Sequence, residues 1–237
     1  MLGSLKLFET TDVTSQPVFY LFIGITILLT LGYSWGRRAN KRIVIGALDD
    51  LQALFKPKDQ QFTNIGGLTG YHANFIPLQN RHARRVDATC TLLPRQSWLY
   101  YPISRMIRRF DRLYLVFHLA EKAVGTLTEG QLIERRYSTF MGAKVENAAE
   151  LERESFEWGG LQFELYYEDQ VAHDALLDVK ARLGEPGGLR HVALVPEQDR
   201  MFLFMIPVRG TVGKTVGVIF EWFNALVDAR LRQKQKP

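Results

Sequence analysis

Pro17–Trp35, PVFYLFIGITILLTLGYSW, contains no charged residue, and the uncharged run extends from Val13 to Gly36, 24 residues in all. A hydrocarbon core of about 30 Å needs roughly 20 apolar residues at helical rise, so this stretch is long enough to span it. Tyr20 near one end, and Tyr33 and Trp35 near the other, stand where amphipathic rings prefer the interface. A core helix of a soluble protein seldom stays apolar on every face. A secretory signal places its basic residues before the apolar run and a small-residue cleavage site after it. Here Arg37, Arg38, Lys41 and Arg42 follow the run, the reverse order. The pattern predicts an uncleaved anchor over 17–36. Only Lys6 is basic before it, so the basic flank predicts an N-terminus outside and the remaining 200 residues in the cytosol.

Beyond the anchor the 237-residue chain has room for about one domain. Its single cysteine, Cys90, excludes an internal disulfide and a cysteine-rich zinc site. Charge is unevenly placed. Residues 81–112 hold eight arginines against Asp87 and Asp111, a local net of +6, whereas 121–185 hold 14 acidic and seven basic side chains, a net of −7. A tethered domain with one basic sector suits an oriented contact with something anionic, although folding can also disperse such charges over an ordinary surface.

Residues 41–55 repeat apolar side chains at helical spacing (Val44, Ala47, Leu48, Leu51, Phe55) and either continue the membrane helix or follow it; Pro57 ends them. Strands are expected over 71–78 and 86–93, the latter alternating with Val86, Ala88, Cys90 and Leu92 on its apolar side. Residues 103–110 are helical in pattern, with Ile103, Met106, Ile107 and Phe110 on one face and Arg105, Arg108, Arg109 and Arg112 repeating at i, i+3, i+4, i+7 on another. Such a stripe repels itself, and an external anion or the chain's own acidic sector would relieve it. Leu113–Ala120 predicts a strand covered on both faces, with His118 a satisfied core histidine. A short helix over 131–141, a strand over 161–167, a helix over 169–183 ending at Gly184, paired strands over 191–195 and 201–207, and a final helix over 212–233 capped by Thr211 complete the reading. The fold class is mixed α/β (α+β). Its organisation is a 1–16 tail, a 17–36 transmembrane helix, a 37–58 basic juxtamembrane segment and helix, a 59–211 α/β domain and a 212–237 amphipathic helix with a basic tail.

No catalytic constellation emerges. Gly213-Lys214-Thr215 resembles the end of a phosphate loop, but the glycine required five positions earlier is Val208. The histidines at 72, 82, 118, 173 and 191 are scattered without metal-ligand spacing. No catalytic, cofactor or metal residues are assigned, and a membrane-tethered enzyme remains a third alternative without named residues.

The order of these segments resembles one family: an anchor, a basic flank, the strand at 84–93, Arg95-Gln96 leading into a helix that ends Arg105-Met106-Ile107-Arg108-Arg109, Asp111 and the strand at 113–119, then the strands at 191–195 and 201–207 and a last helix with a basic end. It looks like the calumin family, the coiled-coil-domain-containing subunit of the PAT complex in the multipass translocon. The resemblance implies a non-enzymatic factor beside the Sec channel and ribosome that, with a small multi-spanning partner, helps nascent membrane proteins insert and fold. It implies partner or rRNA contact by Arg81, Arg84, Arg85, Arg95, Arg105, Arg108, Arg109, Arg112, Arg230, Arg232, Lys234 and Lys236. Two departures stand out. Only 16 residues precede the anchor, so no calcium-binding lumenal segment is expected; the sequence runs to Pro237, so ribosome contact through the family's long charged coiled coil is not expected either. The compact form fits a prokaryotic, archaeal member in the plasma membrane; a eukaryotic one would sit in the ER. The alternative is a domain that holds anionic lipid or another membrane protein with the same arginines.

Overall fold

The computed structural model describes residues 16–77, 82–140, 145 and 148–235. Its first element, α1 (Pro17–Phe55), is one unbroken helix of 39 residues. The apolar run and the amphipathic stretch after it therefore form a single rod about 58 Å long at 1.5 Å per residue. It is the one helix among the described residues long and apolar enough to cross a membrane. Lys56 ends it in the left-handed region, its N–H bonded to the Gln52 carbonyl, and Pro57 turns the chain away.

The rod changes character along its length. From Pro17 to Leu31 the described side chains are almost all exposed. From Gly32 onward every third or fourth residue is buried: Gly32, Gly36, Asn40, Val44, Ala47, Leu51 and Phe55. This second half is a core helix of the domain, and the apolar spacing at 44–55 is the stripe that packs.

The described residues of the domain form a nine-stranded sheet in which every pairing is antiparallel. Its strands are β1 (Pro57–Asn64), β2 (Gly70–Pro77), β3 (Ala83–Thr91), β4 (Arg112–Leu119), β5 (Gly130–Glu134), β6 (Glu152–Trp158), β7 (Leu161–Tyr167), β8 (Leu189–Val195) and β9 (Arg200–Met205). Their spatial order is β1-β2-β3-β4-β9-β8-β5-β7-β6. The helices between them are α2 (Tyr101–Arg108), α3 (Glu121–Val124), α4 (Arg135–Phe140), α5 (Gln170–Leu183) and α6 (Val212–Lys234). One sheet face packs on the second half of α1 and on α5 and α6, through Phe75, Phe117, Leu203, Leu165, Leu176, Val216 and Phe223. The other face carries a smaller cluster centred on Ile133, Tyr137, Tyr166 and Phe204.

Several expectations are corrected. β4 alternates strictly between buried and half-buried residues, so its continuous apolar run is sealed on one face only. His118 consequently lies on the more open face, 2.7 Å from Asp87 Oδ2, and is not a core residue. Residues 130–134 form β5 before a helix starts at Arg135, so the helix expected over 131–141 begins four residues late. β1 and β6, the two sheet edges, had no expected counterpart. Thr211 does not cap α6 with its side chain; its hydroxyl donates to the Val208 carbonyl. The carboxylate of Asp50 in α1 accepts from Gly213 N–H at 3.0 Å and occupies that helix start, which also disposes of a phosphate-loop role for Gly213-Lys214-Thr215. Cys90 is buried in the core as expected, and burial pushes its thiol up to about 12, so it is inert.

His191 in β8 gives a pH-dependent prediction. Its ring is buried against Phe202, with Nε2 3.2 Å from the Gln131 amide oxygen, and burial lowers its pKa from 6.5 to about 4. The unfolded chain protonates near 6.5 and the folded one only near 4. Stability from this residue is therefore complete above pH 6.5 and lost as pH falls towards 4, by roughly 3 kcal/mol. Denaturant unfolding of His191→Gln should show a correspondingly flatter acid limb than the wild type; parallel limbs would contradict the assignment.

Candidate membrane-facing site

Between β3 and β4 the chain leaves the sheet, crosses α1 and returns as α2. The crossing depends on two glycines four residues apart. A Cβ at Gly32 would lie 2.6 Å from the Trp98 indole nitrogen, and one at Gly36 would lie 2.1 Å from the Arg95 carbonyl oxygen. The G-x-x-x-G spacing that lets membrane helices approach closely here admits a loop of the same chain. One turn below, Asn40 is buried. Its amide donates to the carbonyls of Leu93 (2.9 Å) and Leu68 (3.1 Å), while its oxygen accepts from Arg95 Nη1 at 2.9 Å. Arg95 in turn grips Asp111 bidentately at 2.8 and 2.7 Å, and Asp111 also accepts from Leu93 N–H. The network fixes the height at which the loop meets the rod.

That height decides what surrounds the loop. A span beginning at Pro17 must run to about Gly36 to cover 30 Å. Trp98, seated on Gly32, therefore lies roughly 7 Å inside the level of Arg37 at 1.5 Å per residue. A groove of about 380 Å³ runs between the loop and the rod, lined by Leu29, Thr30 and Tyr33 on one side and Gln96–Leu99 on the other.

From there α2 carries an apolar face that is mostly exposed. Leu99 and Met106 are 80% exposed, and Trp98, Tyr100, Ile103 and Ile107 are also exposed. Only Ser104 on this helix is buried. Of the expected apolar face, Ile103, Met106 and Ile107 are exposed, whereas Phe110 lies past the helix end, half-buried, with its ring 5.4 Å from that of Tyr137. Interfacial helices sink about 5–10 Å into a headgroup boundary, the same scale as the roughly 7 Å that separates Gly32 from Arg37 along α1.

The arginines divide into separate places. Arg37, Arg38, Lys41 and Arg42 are exposed on α1 just after the apolar run. Arg105 and Arg108 are exposed along the polar side of α2. The helix stops at Arg108; Arg109 has φ +64°, and Arg112 lies in β4, half-buried, so the four-arginine helical stripe does not exist. Arg95 is bound inside the loop network rather than offered to a partner. Arg84 and Arg85 sit at the other end of β3, about 20 Å away by strand rise, where Arg84 bonds the Leu119 carbonyl and Arg85 pairs with Asp87. The α6 tail reaches that same end: Arg230 bonds Gln233, Arg232 the Asp228 carbonyl and Lys234 the Gly125 carbonyl. Arg81 and Lys236 lie outside the described residues.

A second cavity, about 510 Å³, opens behind the C-terminal end of α2. Arg108 and Arg109 border it on one side, Glu134, Arg136 and Tyr137 from β5 and α4 on another, with Arg190 of β8 between them. Arg190 Nε lies 3.1 Å from Glu134 Oε2, both nearly buried. Burial raises the Glu134 pKa, opposed by the charges of Arg190 and Arg136. Sequence reasoning gave no sign of Gly36, Asn40, Arg136, Tyr137 or Arg190 as site residues; the Gly32/Gly36 spacing with Asn40 one turn on was the available signal for the first two. No protein-family model matches this chain, and no curated protein matches it either.

Proposed function

We propose that this chain is a single-pass, non-enzymatic membrane protein whose cytosolic domain is seated on the inner leaflet by α2 and holds anionic lipid there. The observation that carries the reading is that the exposed apolar side chains of α1 (17–31) and those of Trp98–Tyr100, Ile103, Met106 and Ile107 adjoin at the groove lined by Leu29, Tyr33, Trp98 and Leu99, with Arg37, Arg38, Lys41, Arg42, Arg105 and Arg108 exposed on the same two elements. Each basic side chain near an anionic surface adds about 1 kcal/mol, and salt screens it.

A second reading keeps the insertion-factor role: the resemblance in segment order and the exposed arginines beside the membrane favour contact with a Sec channel and ribosome, with nascent membrane proteins as clients. One experiment separates the two. Full-length protein in nanodiscs should show slower backbone hydrogen exchange over 97–109 with phosphatidylglycerol than with phosphatidylcholine alone. The difference should vanish at high salt or in Arg105→Glu/Arg108→Glu. Slowing that requires added ribosomes, and not the anionic lipid, would transfer these arginines to the second reading.

A further inference from the structure

The arginine-lined cavity behind α2 has features that membrane seating alone does not require. Among the described residues, four guanidinium groups border it against one carboxylate, a net of +3, and the carboxylate of Glu134 is already held by Arg190. Arg108, Arg109 and Arg136 form no ion pair with a described residue. Tyr137 is 4% exposed, and its hydroxyl has no hydrogen-bonding partner among the described residues. An unsatisfied buried hydroxyl is unfavourable unless something else completes it. Arg109 adds a separate sign. Its φ of +64° with ψ −39° is a conformation suited to glycine, so an arginine there strains the backbone. The cavity wall is otherwise apolar, through Phe110, Leu161 and Ile206, and Met106 and Ile107 belong both to it and to the outward face of α2.

We infer that this cavity binds the phosphate headgroup of an anionic phospholipid, with Arg108, Arg109 and Arg136 on the phosphate oxygens and the acyl chains leaving over Met106 and Ile107 into the bilayer. Arginine forks match phosphate oxygens, and the cluster would lose its self-repulsion on binding. The inference rests on the seating of α2 for its source of lipid, but the site itself does not need a bilayer to be occupied.

The test therefore uses full-length protein in a neutral detergent. Thermal midpoints are followed with dioctanoyl-phosphatidylglycerol, dioctanoyl-phosphatidylcholine or inorganic phosphate as probes. Phosphatidylglycerol should raise the midpoint in a saturable way, and phosphatidylcholine should not. Arg109→Gly should raise the midpoint of the lipid-free protein, because the strain is relieved, yet weaken the apparent affinity tenfold or more. Tyr137→Phe should also stabilise the free protein, and Leu161→Trp, which fills the cavity, should abolish the lipid response. Equal shifts with both lipids, an equal shift with inorganic phosphate alone, or unaltered affinity in Arg109→Gly would each overturn the assignment. Failure here with α2 still seated in nanodiscs removes the lipid site and leaves the seating; a saturable lipid response with α2 unseated does the reverse.

Discussion

Gly36→Leu should detach the loop at 93–98 from α1 and with it much of the domain's stability. The new Cβ would lie 2.1 Å from the Arg95 carbonyl oxygen, 2.2 Å from its carbon and 2.4 Å from Gln96 N. These are backbone atoms and cannot rotate away, so the loop itself must move. Moving it pulls the Leu93 carbonyl from Asn40 and disturbs the bidentate Arg95–Asp111 pair, leaving buried polar groups unpaired. Such combined damage costs about 4–5 kcal/mol, the upper range for a single substitution. In a chain of this length that lowers the thermal midpoint by roughly 10–15 °C. Gly24→Leu is the control, since a Cβ there meets nothing within 4 Å. A Gly36→Leu protein that melts like the wild type would show that the loop does not grip the rod as described.

The second large effect concerns lipid contact rather than folding. Ile103→Ser/Met106→Ser/Ile107→Ser changes three side chains that are already mostly exposed. Exposed substitutions of this kind usually alter stability by less than 0.5 kcal/mol each, so the detergent midpoint should hold. In a bilayer the same residues each contribute about 1.5–3 kcal/mol when fully buried, and a sum near 5 kcal/mol is enough to reverse a two-state preference. Hydrogen exchange over 97–109 in nanodiscs should rise at least tenfold. A variant that loses detergent stability instead would place this face inside the domain.

What could be read from the residues, and what could not, has a physical pattern. The apolar run of α1 was legible because it is long and uncharged on every face, and β7, α5 and α6 because one face of each repeats at a single period; α5 also starts at a recognisable residue, Asp169, whose carboxylate accepts from Ala172 N–H. β1 and β6 were not, because edge strands are held by backbone bonds to one neighbour and their side chains remain mostly exposed. PKDQQFTN and ERESFEW therefore carry no alternating apolar signal. The apolar face of α2 was visible, but periodicity does not say whether protein or lipid covers it. The arginine stripe failed at one backbone angle, the positive φ of Arg109, which ends the helix before Arg112 can join it. The cavity was hidden for another reason: Arg108, Arg136 and Arg190 are far apart in the chain and meet only through sheet order.

The central claim is that residues 98–107 lie in the bilayer interface beside α1. Spin labels on Ile103→Cys and Ile107→Cys, with Glu197→Cys at an exposed turn as reference, test it directly in nanodiscs; buried Cys90 is a poor competitor for label. Power-saturation measurements should find positions 103 and 107 accessible to oxygen and shielded from a water-soluble nickel chelate, with position 197 the opposite. Nickel accessibility at 103 and 107 equal to that at 197 would contradict the account.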